Sequence, residues 1–159
     1  MSSHALVEPC LLTAARQRAH ALIAKSKAAS VRALLNRISD LPMPTPLRPT
    51  EIGLVMVRGR VGGEGQRFNL GELPVARAAV RLGDGPVGIG YVAGRDADHA
   101  EMAALTDAMV QSDAWRDRLE EEVLAPLAAE LAERKDADAR KAAATKVDFF
   151  TMVRTRAEK

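Results

Sequence analysis

Large rigid side chains are what this chain has least of. Three Phe, one Tyr and one Trp give an aromatic content of 3% in 159 residues. A core must then be built from Ala, Val, Leu and Met. Ala-rich helices approach one another closely but bury little area each, so a chain of this kind gains by pairing, and we expect a homodimer. The single cysteine, Cys10, excludes an internal disulfide and a cysteine-rich metal site. No run of 18 apolar residues is present, which excludes a transmembrane helix. Met1 to Val7 lacks the basic start and long apolar stretch of a secretory signal, and the expected setting is cytoplasmic. An excess of one charge is missing too. With 23 basic and 21 acidic residues the net charge is +2, which argues against uniform binding to nucleic acid or to a membrane surface.

The near-neutral total hides a division. Residues 1–44 carry +4, residues 45–95 carry +3, residues 96–139 carry −9 and residues 140–159 carry +4. That asymmetry favours oriented contact with partners. A hydrophobic content of 47% and a charged content of 28% are ordinary for one globular domain spanning 1–159.

Periodicity divides that domain into regions. Residues 1–44 form a helical N-terminal region, with Leu11, Leu12, Ala15, Ala19, Leu22 and Ile23 at helical spacing and Ser30 as the expected cap of a second helix. Pro42, Pro44, Pro46 and Pro49 read as an extended connector. Residues 45–95 form an antiparallel sheet. From Thr50 the period becomes two, with Ile52, Leu54, Met56, Arg58 and Arg60 on one side of a first strand. The stretch Gly62-Gly63-Glu64-Gly65 breaks it. Leu73 to Leu82 is a second strand, Asp84-Gly85 a hairpin turn and Val87 to Val92 a third strand. Residues 96–148 are helical. Asp96 caps a helix whose buried stripe is Ala100, Ala103, Ala104, Leu105, Ala108 and Met109. A further helix runs from Asp113, with Leu119, Val123, Leu127 and Leu131 inward and Glu120 to Glu122 solvated, and Pro126 either kinks it or divides it in two. The class is α+β, with a sheet of three or more antiparallel strands flanked by helices.

No reaction can be assembled from these residues. The glycine stretch lacks the Gly-Lys-Ser/Thr of a phosphate-binding loop and lies between strands. His99-Ala100-Glu101 has the spacing of zinc deaminases, but no downstream Pro-Cys-x-x-Cys completes it. His99 near a helix start reads as solvated or hydrogen-bonded. We expect no catalytic residue, no bound cofactor and no metal site in this chain. Two features point to binding instead. Arg58, Arg60, Arg77 and Arg81 share one parity within their strands, and in a suitable register they form one basic patch for an anion or a partner. Equally, they can pair with the acidic helices. The second feature is the end of the chain. Phe149-Phe150-Thr151-Met152-Val153-Arg154 puts two of the three Phe where chain ends are usually polar. Residues 149–159 read either as a tail folded on its own core or as a docking tail, with Phe149, Phe150 and Met152 as anchors and Arg154 at the rim.

Three segments carry a more specific resemblance: Thr50 to Glu72, with Arg58-Gly59-Arg60-Val61-Gly62-Gly63-Glu64-Gly65-Gln66-Arg67-Phe68; Arg77 to Asp96; and Val147 to Arg154. In order and register, from about residue 45 to 155, they resemble the small G subunit of the bacterial carbon–phosphorus lyase core complex. The resemblance implies partnership with H, I and J subunits. The assembly displaces adenine from ATP with a phosphonate, giving an α-D-ribose 1-alkylphosphonate 5-triphosphate. ATP and magnesium serve the complex, with the I subunit as the nucleosidase. A structural role as one of a pair is implied for this chain. The family commonly has Thr and Cys where Pro74, Ala76 and Ala78 stand here, which argues against chemical roles at those positions. A stand-alone binder of anionic metabolites and an enzyme with sites shared between two chains are the alternatives.

Overall fold

The computed structural model describes the backbone of residues 4–147, with side chains from Leu11 onward. Two N-terminal helices, α1 (His4–Lys25) and α2 (Ala28–Leu35), precede the strands β1 (Pro44–Arg60), β2 (Arg67–Leu82) and β3 (Val87–Ala93). The helix α3 (Ala97–Val110) follows, then a rod in which α4 (Asp113–Leu119) passes through a π-turn, Glu120–Leu124, into α5 (Ala125–Ala144). The sheet is antiparallel in the order β1-β2-β3, so the α+β reading stands.

The helix α3 sits at the centre. Asp96 caps it, accepting from the His99 backbone N–H at 3.0 Å. Its predicted stripe is buried in full, and so are Asp107 within the arc of that stripe and His99 and Thr106 beside it. A helix covered nearly all round has to be a core element. One side lies on β2 and β3, against Ala76, Ala78, Val80 and Val92. Its other sides meet α1, α2 and the rod through Ile23, Val31, Leu119 and Val123. The small residues are what allow this: Gly88 and Gly90 of β3 face Ala100, Ala104 and Ala108 with no room for a Cβ.

Several boundaries differ from expectation. Lys27, not Ser30, precedes α2, and the Ser30 hydroxyl donates to Glu130 at 3.1 Å across to α5. Pro44, Pro46 and Pro49 lie inside β1 rather than in a connector. That is tolerated because β1 is an edge strand, needing ladder donors on one side only, and because register shifts between Pro46 and Glu51 absorb the mismatch. Pro126 stands in the first turn of α5, just after a π-turn that divides the predicted helix into α4 and α5. A proline ring crowds the carbonyl four residues back, and the helix widens upstream so that Ala125 N–H bonds to the Glu120 carbonyl. The three glutamates are at the surface as expected, Glu121 exposed and Glu120 and Glu122 partly so while they bind Arg18 at 2.5 Å and Arg118 at 2.6 Å. Leu131 is half-buried.

These ion pairs account for much of the charge asymmetry. Arg16, Arg18 and Arg32 of the basic N-terminal third bind Asp107, Glu120 and Asp98 of the acidic third, and Arg118 binds Asp40. Separation along the chain becomes attraction between layers of one domain.

Candidate interaction arm and its arginines

The largest departure from the sequence reading is the length of the first hairpin. The strand β2 begins at Arg67, six residues before the expected start, and pairs with β1 as far as Arg60 opposite Arg67. The short β3 reaches only Val75, which pairs with Ala93. Beyond the pair Leu54–Pro74 the two strands therefore continue alone, over about 20 Å at the rise of an extended chain. The signal was present in the alternation of Arg67-Phe68-Asn69-Leu70.

The arm is apolar on both faces. Register puts Ile52, Leu54 and Met56 on the side continuous with the helix-covered face, exposed by 54%, 60% and 46%. Val55, Val57, Leu73 and Phe68 share the opposite side, continuous with exposed Ile89 and Tyr91 of the open sheet face. One extra residue in β2, Leu70, bulges outward against Gly59, where a Cβ would stand 2.5 Å from Leu70 Cδ1. An isolated two-stranded ribbon is marginal in water. Strands apolar on both faces are those normally covered on both sides.

The four predicted arginines do not form one patch. The parity argument needed a register that sets even-numbered residues of β1 opposite odd-numbered residues of β2, but Gly53 pairs with Val75 and Leu54 with Pro74, so the two pairs of arginines fall on opposite faces. Arg77 lies opposite Glu51 and binds it at 2.8 Å, on the open face, and Arg81 lies opposite Thr45 on that same face. Arg58 and Arg60 lie on the other face, roughly 23 and roughly 30 Å along the strand from Glu51. The tip instead joins Arg58 and Arg60 to Arg67, a residue the sequence reading did not select. With Gly59 and Gly63 they line an open concavity of about 410 Å³. Phe149, Phe150, Met152 and Arg154 lie outside the described residues.

The strongest polar cluster elsewhere centres on Asp107, which sequence reading also passed over; an acid within the apolar run of α3 was its signal. Asp107 is 1% exposed. Its Oδ1 accepts from Arg16 Nε at 2.8 Å and lies 3.3 Å from His20 Nε2. Its Oδ2 accepts from Arg16 Nη2 and from the Ile89 backbone N–H, both at 2.9 Å. Burial opposes ionisation, but the bonds from His20, Arg16 and Ile89 outweigh it and hold the carboxyl well below the usual range. A carboxylate so fully engaged has no free lone pair for a substrate proton. It clamps α1, α3 and β3 together. His99, also buried, holds the Ile23 carbonyl at the end of α1 through Nε2 at 3.0 Å, in keeping with the hydrogen-bonded reading. Among the described residues no three His, Cys, Asp or Glu side chains are grouped as for a metal ion, and no helix is long and apolar enough to cross a membrane.

Among the described residues, fold and surface define a small α+β protein in which Asp107 and His99 tie helices and sheet together and from which a long apolar arm extends uncovered. Comparison with known proteins gives the family. Residues 14–155 match the family described as phosphonate metabolism protein PhnG, and the chain belongs to that family. A relative from Rhizobium meliloti (strain 1021) is the alpha-D-ribose 1-methylphosphonate 5-triphosphate synthase subunit PhnG. It is 46% identical over 144 residues, covering 89% of this chain and 90% of that protein.

Proposed function

We propose that this chain is a non-catalytic subunit of a synthase making α-D-ribose 1-methylphosphonate 5-triphosphate, and that its arm docks into another subunit of that enzyme. The observation that carries the reading is the arm itself. Seven apolar side chains of its two strands, from Leu54 to Leu73, are exposed on two faces of a ribbon too thin to cover them, and a subunit of a larger assembly is where such a ribbon finds cover. The relative's name supplies the assembly. On this reading the partners are H, I and J subunits in the cytoplasm, and ATP and magnesium are handled by the assembled enzyme. Two apolar faces need two covers, so we also propose that the chain is present as a pair, with one face of each arm meeting the second copy.

The test is co-purification of the tagged chain with the neighbouring gene products, followed by an adenine-release assay with ATP and methylphosphonate. The chain alone should release no adenine, and the complex should lose activity when the chain is omitted. Turnover by the purified chain, or full activity without it, contradicts the reading. Light scattering of the chain alone tests pairing: a dimer is expected at micromolar concentration, and a monomer at every concentration contradicts it.

A further inference from the structure

Docking by apolar contact leaves the tip of the arm unexplained. Arg58 pairs across the ladder with Asn69 and Arg60 with Arg67, so three guanidiniums share one face and one concavity. Among the described residues none of the three has a carboxylate partner, and they are set apart from the other unpaired arginines by lining one concavity together. Arg60 Nη1 donates to the Gly65 carbonyl at 3.1 Å, which aims its fork but neutralises nothing. Like charges this close repel, and the repulsion sharpens when a partner covers the arm and removes water, unless an anion is supplied.

The surroundings indicate the kind of anion. The planar guanidinium fork matches a tetrahedral oxyanion bidentately. Gly59 and Gly63 in the lining lack a Cβ, so a ligand can approach the backbone. The lining contains no aromatic ring, and Phe68 opposite Gly59 faces the other way, so nothing there stacks on a nucleobase. We propose that Arg58, Arg60 and Arg67 bind a phosphorus oxyanion, either the triphosphate of a nucleotide or the head group of a phosphonate, which the arm holds within the assembled enzyme. This rests on the subunit reading above.

The experiment uses the assembled synthase carrying Arg60→Gln, Arg67→Gln or both, with Arg37→Gln as an exposed control. KM is measured for ATP and for methylphosphonate separately, beside gel filtration of the complex. We expect an intact complex and a KM raised roughly tenfold per arginine, the size of one charge-assisted hydrogen bond. A rise for ATP identifies a triphosphate, and a rise for methylphosphonate identifies the phosphonate head group. Arg37→Gln should change neither. Unchanged KM values overturn the proposal whatever happens to kcat or assembly, and a salt-sensitive loss of assembly with them would assign the arginines to an acidic protein surface. Should the wild-type chain not assemble, the subunit reading fails by itself. Inorganic triphosphate titrated into the chain alone then decides the site: binding lost in the double variant supports it, and no binding overturns it.

Discussion

Replacing Gly90 by alanine should test the packing on which the whole body depends. A Cβ at Gly90 would stand 1.9 Å from the Ala100 carbonyl oxygen and 2.7 Å from the Ala104 nitrogen. Both are backbone atoms of α3 and cannot rotate aside. Relief requires α3 to retreat by about 1 Å or more, but α3 is buried on its other sides as well and would be driven into α1 and the rod. Overpacking of this kind costs about 1–3 kcal/mol, and a clash with backbone belongs at the upper end. At about 3 kcal/mol the melting temperature of a domain this size falls by roughly 10 °C. Gly53→Ala is the control, because an added Cβ there meets nothing within 4 Å, and its effect should stay within about 0.5 kcal/mol. Urea unfolding followed by circular dichroism measures both. If Gly90→Ala unfolds within about 0.5 kcal/mol of wild type, the close approach of α3 to β3 is not what holds the layers together.

Asp107→Asn should cost about 3 kcal/mol, the low end for breaking a buried pair because Arg16 can still turn to water. The Asp107 carboxyl is held below its ordinary range, so its contribution is present above the unfolded carboxylate value near ~4 and is lost as pH falls through the folded value. Denaturant titrations between pH 2 and pH 7 should therefore show a shallower acid loss in Asp107→Asn than in wild type, and parallel curves would refute the clamp. Truncation after residue 148 should leave the body folded by circular dichroism while weakening pull-down of the other subunits. An unfolded truncation would place Phe149, Phe150 and Met152 in the monomer core, and unchanged affinity would make the tail dispensable.

The α3 stripe, the Asp96 cap, the third strand and the α+β class were legible because each depends on local periodicity or on one capping side chain. The arm and the regrouped arginines were not. Whether Arg58 and Arg77 share a face is decided by register, which the pattern of neither strand contains, and the extra residue Leu70 then turns Arg67 onto the side of Arg58 and Arg60. The Pro-rich start of β1 misled for a related reason. Proline excludes central strands, and only the pairing reveals that β1 is an edge. Asp107 went unnoticed because its partners, Arg16, His20 and Ile89, are distant in sequence and are brought together by the packing of α1 and β3 on α3.

The central claim is that the apolar arm docks into a partner subunit. The most direct measurement is the affinity of the other synthase subunits for a chain carrying Leu54→Glu and Phe68→Glu, one on each face of the arm. Both side chains are exposed in the free chain, 60% and 43%, so circular dichroism should be unchanged. Covering each contributes about 1 kcal/mol or more, and a carboxylate buried in its place costs further. Affinity should fall at least about a hundredfold, and adenine release should be lost with it. A folded double variant that assembles with wild-type affinity would contradict the account.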